Sequence, residues 1–133
     1  MPKKDIYQQS LSLHRKRRGK IALESKVPLR TKRDLSLAYT PGVAEPSRAI
    51  AENPHLIWEL TSRRNWVAVI TDGTSVLGLG DIGPAASLPV MEGKCILFKE
   101  FAGLDAFPIA VKTKDVEQFV DVIKKISLSF GAV

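Results

Sequence analysis

The sequence predicts an α/β fold, in which a small parallel sheet is flanked by helices and preceded by a mostly helical N-terminal arm. The first observation is a continuous apolar run, Trp66–Thr71, which ends in Asp-Gly and is typical of a strand buried on both faces. The second is the order strand, helix, strand, helix after residue 65. This order implies a right-handed βαβ crossover between parallel strands.

The second half of the chain contains the elements of that crossover. The longest predicted helix spans Pro84–Phe101, and an apolar strand follows at Ala106–Val111. Asp115–Leu128 is predicted to be an amphipathic helix, because its apolar residues recur at helical spacing. Val76–Leu79 is a second short extended candidate. Residues 130–133 begin a further possible strand, so we expect the chain to be cut inside a larger protein.

The first half is predicted to be peripheral. Residues 1–30 form a basic arm with a short helix near 4–17, whose apolar residues are too sparse for a long buried face. Two further short helices are predicted at 32–39 and 45–52, each followed by a proline-containing segment that ends the helix. We therefore divide the chain into this arm and a main domain, 31–133.

The composition is that of a globular protein of 133 residues, 44% of them hydrophobic and 26% charged. It excludes a disordered, collagen-like or coiled-coil chain. No apolar run approaches the roughly 18–20 residues of a membrane-spanning helix, so no membrane partner is expected. A lone Cys95 excludes an intramolecular disulfide and a thiolate zinc site. We expect a reduced, cytoplasmic protein.

The charge is unevenly distributed along the chain. Residues 1–64 contain 14 Lys and Arg against 6 Asp and Glu, whereas residues 65–133 contain 6 against 8. The basic run Arg15–Arg18 could attract nucleic acid, a membrane surface or a small anionic substrate. Nucleic-acid binding is disfavoured, because no aromatic residues alternate with the basic ones and no zinc-finger pattern occurs. A solvated arm is the simpler interpretation.

Lys94 is the residue most indicative of catalysis. On the predicted helix it falls in one row with Val90, Leu97 and Phe101, beside a second apolar row of Leu88, Met91, Cys95 and Phe98. Apolar neighbours would desolvate the charged amine and favour its neutral form, which can act as a general base or form a Schiff base. The alternative is a lysine that reaches solvent from the edge of the core.

Tyr39 stands just before Thr40-Pro41-Gly42, where a predicted helix gives way to a loop. A phenol at such a junction can donate a proton, whereas the alternative is a ring packed on the core with its hydroxyl in water. His14 and His55 have no other ligands at suitable spacing. The sequence therefore predicts no metal site in this chain.

A glycine-rich run between a predicted strand and a predicted helix matches G-x-G-x-x-G at Gly78–Gly83. Such glycines let backbone amides approach a pyrophosphate at a helix N-terminus. However, Pro84 removes one amide, and Asp81 places a negative charge where a phosphate would lie. The pattern favours a glycine-rich turn that lines a cleft and touches a cofactor held mainly elsewhere.

Four motifs occur in order: SLAYTPGVA at 36–44, TDGTSVLGLGDIG at 71–83, PVMEGK at 89–94 and FAGLDAFP at 101–108. Together they resemble the N-terminal domain of a bacterial or archaeal malic enzyme over roughly residues 19–133. The resemblance implies an NAD- or NADP-dependent oxidoreductase that converts L-malate to pyruvate and CO2 with Mg or Mn.

The resemblance also implies site residues. The tyrosine of the YTPGV motif, here Tyr39, is the general acid in that family and helps to protonate C3 of the enol. The lysine of the MEGK motif, here Lys94, is the general base and takes the C2 hydroxyl proton as hydride leaves C2. The family's metal-binding acids and main nucleotide domain follow later in the chain. We therefore expect the metal ligands to lie outside these 133 residues, the fragment alone to be inactive, and the protein to be a homodimer.

The glycine-rich loop borders the cofactor side in this family. The resemblance assigns cofactor contact to Val76, Leu77, Gly78, Leu79, Gly80, Asp81, Ile82 and Gly83. Ser75 stands where larger family members have an arginine, so no substrate-carboxylate contact is assigned to it.

Two other classes of function stay open. A malolactic-type enzyme would keep its nicotinamide bound and release lactate, and net production of NAD(P)H distinguishes it. A non-enzymatic basic scaffold or nucleic-acid-binding module would be retained on DNA with a steep salt dependence. The sequence does not determine whether the cofactor is NAD or NADP. It also does not determine whether Tyr39 and Lys94 act within one subunit or across a dimer.

Overall fold

The computed structural model describes residues 3–133, with side chains from Asp5 onward. In chain order the helices and strands are α1 Lys3–Arg17, α2 Lys32–Ala38, α3 Ala44–Glu52, α4 Ile57–Leu60, β1 Trp66–Thr71, α5 Pro84–Ala102, β2 Asp105–Ala110 and α6 Val116–Ile126. Short 3-10 turns lie at Pro54–Leu56, Ser62–Asn65 and Ser127–Ser129. Most predicted elements are therefore present within one to three residues of their expected bounds.

The chain forms two compact units. The first, here called the core unit, contains the residues up to Ile21 together with Trp66–Val133. The second, here called the tyrosine unit, is Ala22–Asn65.

In the core unit, β1 and β2 form a parallel pair whose register runs from Trp66 opposite Asp105 to Thr71 opposite Ala110. The helix α5 connects them, because parallel strands need a crossover connection. The Ala68 N–H also donates to the Ala132 carbonyl at 3.0 Å. The predicted α/β fold with a small parallel sheet and flanking helices is confirmed.

The core of this unit lies between α5 and the sheet. Val67 and Ala106 from the strands and Cys95 from α5 form its buried cluster, and Met91 is 5% exposed one turn earlier on the helix. The predicted apolar row through Met91 and Cys95 is thus the buried one. Its last member, Phe98, remains 39% exposed.

The tyrosine unit is organised by local hydrogen bonds. None of its residues, all of which are described, is buried. Thr31 caps α2 by accepting from the Asp34 N–H at 3.1 Å, and the Asp34 carboxylate accepts from the Thr31 N–H at 2.9 Å. The hydrogen bond from the Arg30 N–H, followed by those from Thr31, lowers the pKa of the Asp34 carboxyl. Such caps satisfy amides at the helix N-terminus that have no partner within the helix.

One predicted element is wrong. Val76–Leu79 is not a strand, because the Val76 and Gly80 N–H groups each donate to the other residue's carbonyl across an isolated antiparallel bridge. Gly78 and Gly80 have φ values of 77° and 71°, which turn the chain back on itself. Among residues 3–133, no helix has the length and apolar character required to cross a membrane.

Candidate active site

The carboxyl ends of β1 and β2 define the edge of the sheet where ligands bind in most open α/β folds. Asp72 follows β1 directly. Its Oδ1 accepts from the Thr74 N–H at 3.0 Å and from the Thr74 hydroxyl at 2.7 Å. The backbone bond, followed by the hydroxyl bond, lowers the pKa of Asp72. The carboxylate is thereby held charged at the start of the glycine-rich loop.

Gly73 closes that loop. Its carbonyl accepts from the N–H groups of Ile82 and Gly83, each at 3.2 Å. Gly73 is buried and has a φ of 75°, and a Cβ at this position would overlap the Gly83 carbonyl and the Pro84 nitrogen. Only glycine lets the two ends of the loop meet at the N-terminus of α5.

The loop uses its own amides. Leu79 and Gly80 both donate to the Val76 carbonyl at 2.9 Å, while Ile82 and Gly83 donate to Gly73. Because Pro84 has no N–H, few backbone N–H groups of the loop are left to bind a pyrophosphate. The expected cofactor contact of residues 76–83 stays a prediction, and it would involve the outer surface of the loop, where Leu77 is 96% exposed.

Asp81 and Lys114 join the loop to the end of β2. The Lys114 amine lies 2.6 Å from Asp81 Oδ2, with side chains 74% and 45% exposed respectively. The hydrogen bond from Lys114 lowers the pKa of Asp81, and the same bond raises the pKa of Lys114. Lys114 is not among the site residues that the sequence predicted, although a lysine four residues after a parallel strand is a signal for this edge.

Lys94 lies on the exposed face of α5. The expectation that apolar neighbours desolvate it is wrong, because Leu97 and Phe101 in the same row are 54% and 82% exposed. Among the described side chains, no hydrogen bond or ion pair involves its amine. The helix buries the neighbouring row instead, and its Cys95 is 1% exposed. Burial raises the pKa of the Cys95 thiol, so that thiol is neutral and unreactive.

Glu92 is half-buried on α5. Its carboxylate accepts from the Lys20 N–H at 2.9 Å. This contact links the basic arm to the turn of α5 that precedes Lys94. No periodicity in the sequence could have shown it, because the two residues lie 72 positions apart.

Tyr39 is the C-cap of α2 in the tyrosine unit and is 65% exposed. Its N–H donates to the Leu35 carbonyl at 2.8 Å, and its own carbonyl accepts from the Val43 N–H at 2.7 Å. Gly42 is needed here, since a Cβ would stand 2.5 Å from the Ser36 carbonyl oxygen. The YTPGV turn therefore holds the tyrosine backbone firmly and leaves its ring accessible.

The predicted site residues thus fall into both units. Tyr39 belongs to the tyrosine unit, whereas Lys94 and the glycine-rich loop belong to the core unit. Among the side chains described from Asp5 onward, no three His, Cys, Asp or Glu residues lie together in a way that could hold a metal ion. Ser75 is exposed on the same loop.

Comparison with known families places residues 18–123 in the profile described as malic enzyme, N-terminal domain. The chain is 54% identical over 128 residues to a bifunctional malic/malolactic enzyme of Bacillus subtilis, covering 96% of this chain and 31% of that protein. It is 58% identical over 115 residues to an NAD-dependent malic enzyme of Geobacillus stearothermophilus, covering 86% of this chain and 24% of that one. It therefore spans about a quarter to a third of the length of these relatives.

Solved structures give the same result. A malic enzyme from Pyrococcus horikoshii superposes with a TM-score of 0.92 at 49% identity, covering 94% of this chain and 30% of that one. An NAD-dependent malic enzyme from Thermotoga maritima superposes with a TM-score of 0.87 at 49% identity, covering 90% and 34% respectively.

Proposed function

The chain belongs to the malic enzyme family through its N-terminal domain, and from this premise we propose that it contributes the general acid and the general base to an NAD- or NADP-dependent malic enzyme. The reaction is the oxidative decarboxylation of L-malate to pyruvate and CO2. We further propose that the active protein is a cytoplasmic homodimer.

One observation supports the proposal most strongly. Both residues that the family motifs identify lie inside the matched region, and both present an exposed reactive group. Lys94 is on the exposed face of α5, and Tyr39, which is 65% exposed, stands on a turn closed by backbone hydrogen bonds. Side chains of this kind can reach a substrate that binds against the chain.

In the proposed reaction, the neutral amine of Lys94 accepts the proton of the C2 hydroxyl of malate. A bound nicotinamide supplies the hydride acceptor. After CO2 leaves, the Tyr39 hydroxyl delivers a proton to C3, which gives pyruvate. Lys94 is exposed in this chain, and we propose that other residues of the assembled site surround its amine during the reaction.

The described residues do not supply a metal site, so we assign no step of the reaction to a metal held by this chain. If Mg or Mn takes part, its ligands belong to other residues of the assembled site. The isolated 133-residue chain is expected to bind malate weakly and to show no turnover, since it spans under a third of the Bacillus subtilis relative.

The direct test is a chimera in which this chain replaces the matching segment of the Bacillus subtilis relative. We expect malate-dependent formation of NAD(P)H in the chimera and none with the isolated chain. Lys94→Ala should lower kcat by about 100-fold or more, because a positioned acid or base contributes roughly 10²–10⁴-fold. Lys99→Ala on the same helix is the matched control, and turnover by Lys94→Ala within about tenfold of the parent would contradict the base role.

A second candidate function is malolactic chemistry, because the Bacillus subtilis relative is a bifunctional malic/malolactic enzyme. Lactate formed from malate without net NAD(P)H would favour it. Tyr39→Phe tests the general-acid role of Tyr39 in either reaction. The variant keeps the ring and loses the proton, so it should lower kcat while the binding of malate is retained.

A further inference from the structure

Lys20 connects three parts of the core unit at once. Its N–H donates to Glu92 Oε2 at 2.9 Å, and its amine donates to the Pro89 carbonyl at 2.6 Å. The same amine lies 2.7 Å from His14 Nε2 on α1. Hydrogen bonds from a charged donor are about twice as strong as neutral ones. We name this arrangement of His14, Lys20, Pro89 and Glu92 the Lys20 clasp.

His14 contacts one partner at each ring nitrogen. Its Nδ1 lies 2.7 Å from the Ser10 carbonyl oxygen, which can only accept, so Nδ1 is the donor of that hydrogen bond. Nε2 then accepts from the Lys20 ammonium at 2.7 Å.

Gly19 allows the arm to approach Glu92. It has a φ of 103°, a conformation that residues with a Cβ rarely adopt, and a Cβ there would stand 3.1 Å from Glu92 Oε1. Glycine therefore lets the chain turn just before Lys20, which donates its N–H to Glu92.

The Lys20 clasp contacts α5 where a proline removes one of the helix's backbone hydrogen bonds. Pro89 lies inside the helix and has no N–H to donate to the preceding turn. The Lys20 amine donates to the Pro89 carbonyl, and the Lys20 N–H donates to the Glu92 carboxylate, three residues later on the helix. These two contacts restrain the turn that leads directly into Lys94.

We propose that Lys20 and Glu92 are positioning residues for Lys94. The inference rests on the proposed function of Lys94. Lys20 contacts His14 on α1 and both Pro89 and Glu92 on α5, so the loss of its ammonium should release the arm from α5.

Amide hydrogen exchange on the 133-residue chain measures the clasp without any substrate. Lys20→Met removes the ammonium and keeps most of the side-chain length, whereas Lys16→Met removes the same charge from an exposed position at the end of α1. We expect Lys20→Met to speed exchange in residues 14–21 and 89–94 by about tenfold, as the loss of a charged hydrogen bond implies. Lys16→Met should leave both segments unchanged.

Steady-state kinetics of the chimera measure the positioning role. Lys20→Met and Glu92→Gln should lower kcat by about tenfold or more with KM little changed, because a misplacement of about 1 Å can lower a rate roughly 100-fold. Lys20→Arg keeps a charged donor and should restore much of kcat.

Exchange that is unchanged in Lys20→Met, or equally fast in Lys16→Met, would overturn the clasp. Fast exchange in Lys20→Met with an unchanged kcat would overturn the positioning role. An inactive parent chimera would count against the proposed function, and the clasp would then be judged by exchange alone.

Discussion

The two units of this chain hold their candidate catalytic residues by different means. The core unit buries Val67, Met91 and Cys95 between a helix and a sheet, and Lys94 sits on the outer face of that same helix. The tyrosine unit, described throughout, has no buried residue, and Tyr39 is held by caps and turn hydrogen bonds. One residue is thus supported by packing and the other by local backbone geometry, so they should respond differently to mutation.

The largest effect should come from the closure of the glycine-rich loop in the core unit. Gly73→Ala forces a Cβ into the Gly83 carbonyl, and we expect a loss of stability on the order of 4 kcal/mol from overpacking and backbone strain together. Gly78→Ala is the matched control. Gly78 also has a positive φ but has open space around it, so only about 1–2 kcal/mol should be lost. Denaturant unfolding of both variants measures the difference, and equal losses would refute the loop-closure argument.

Packing should matter in the core unit and not in the tyrosine unit. Met91→Ala leaves a cavity beside Cys95 and should lower the free energy of unfolding by about 2–3 kcal/mol. Leu37→Ala, at a side chain that is 67% exposed, should change it by less than about 0.5 kcal/mol. If Leu37→Ala were as destabilising as Met91→Ala, Leu37 would be buried against another surface in solution. The proposed difference between the two units would then be wrong.

Capping should matter locally in the tyrosine unit. Thr31→Ala removes the side chain that accepts from the Asp34 N–H, and loss of such a cap destabilises a helix by about 1 kcal/mol. Hydrogen exchange should speed up in residues 31–39 and stay unchanged in β1 and α5. Lys32→Ala, one position further on, should have little effect. A global loss of protection in Thr31→Ala would mean that the two units unfold together.

The smallest effect should be the loss of stability of the glycine-rich loop at acid pH. The pKa of Asp81 is lowered by Lys114, so its stabilising contribution is present above the ordinary aspartate range and is lost as the pH falls through the lowered value. The pair is exposed, and the effect should be slight and weaker in high salt. Carboxyl NMR of the parent and of Asp81→Asn measures it, with Asp121→Asn on α6 as a control for an exposed pair. A raised pKa for Asp81 would contradict the assigned contact.

Much of the fold was predictable from local pattern. The apolar run at Trp66–Thr71, the amphipathic spacing of α6 and the glycine and proline positions all act over a few residues, and the elements formed where these patterns placed them. The failure at Val76–Leu79 has a clear cause, because the φ values of Gly78 and Gly80 turned an apolar segment into a tight loop. A short apolar run does not by itself distinguish a strand from a turn.

The candidate site was less predictable because its features depend on which face of each helix is covered. The sequence by itself determined the family, the α/β elements and the identity of Tyr39 and Lys94 as motif residues. Only the tertiary structure decided that α5 buries the Cys95 row and exposes Lys94, since two adjacent apolar rows are equivalent until a sheet packs against one of them. It alone paired Lys20 with Glu92 and Lys114 with Asp81, because contacts between distant residues exist only after the chain has folded.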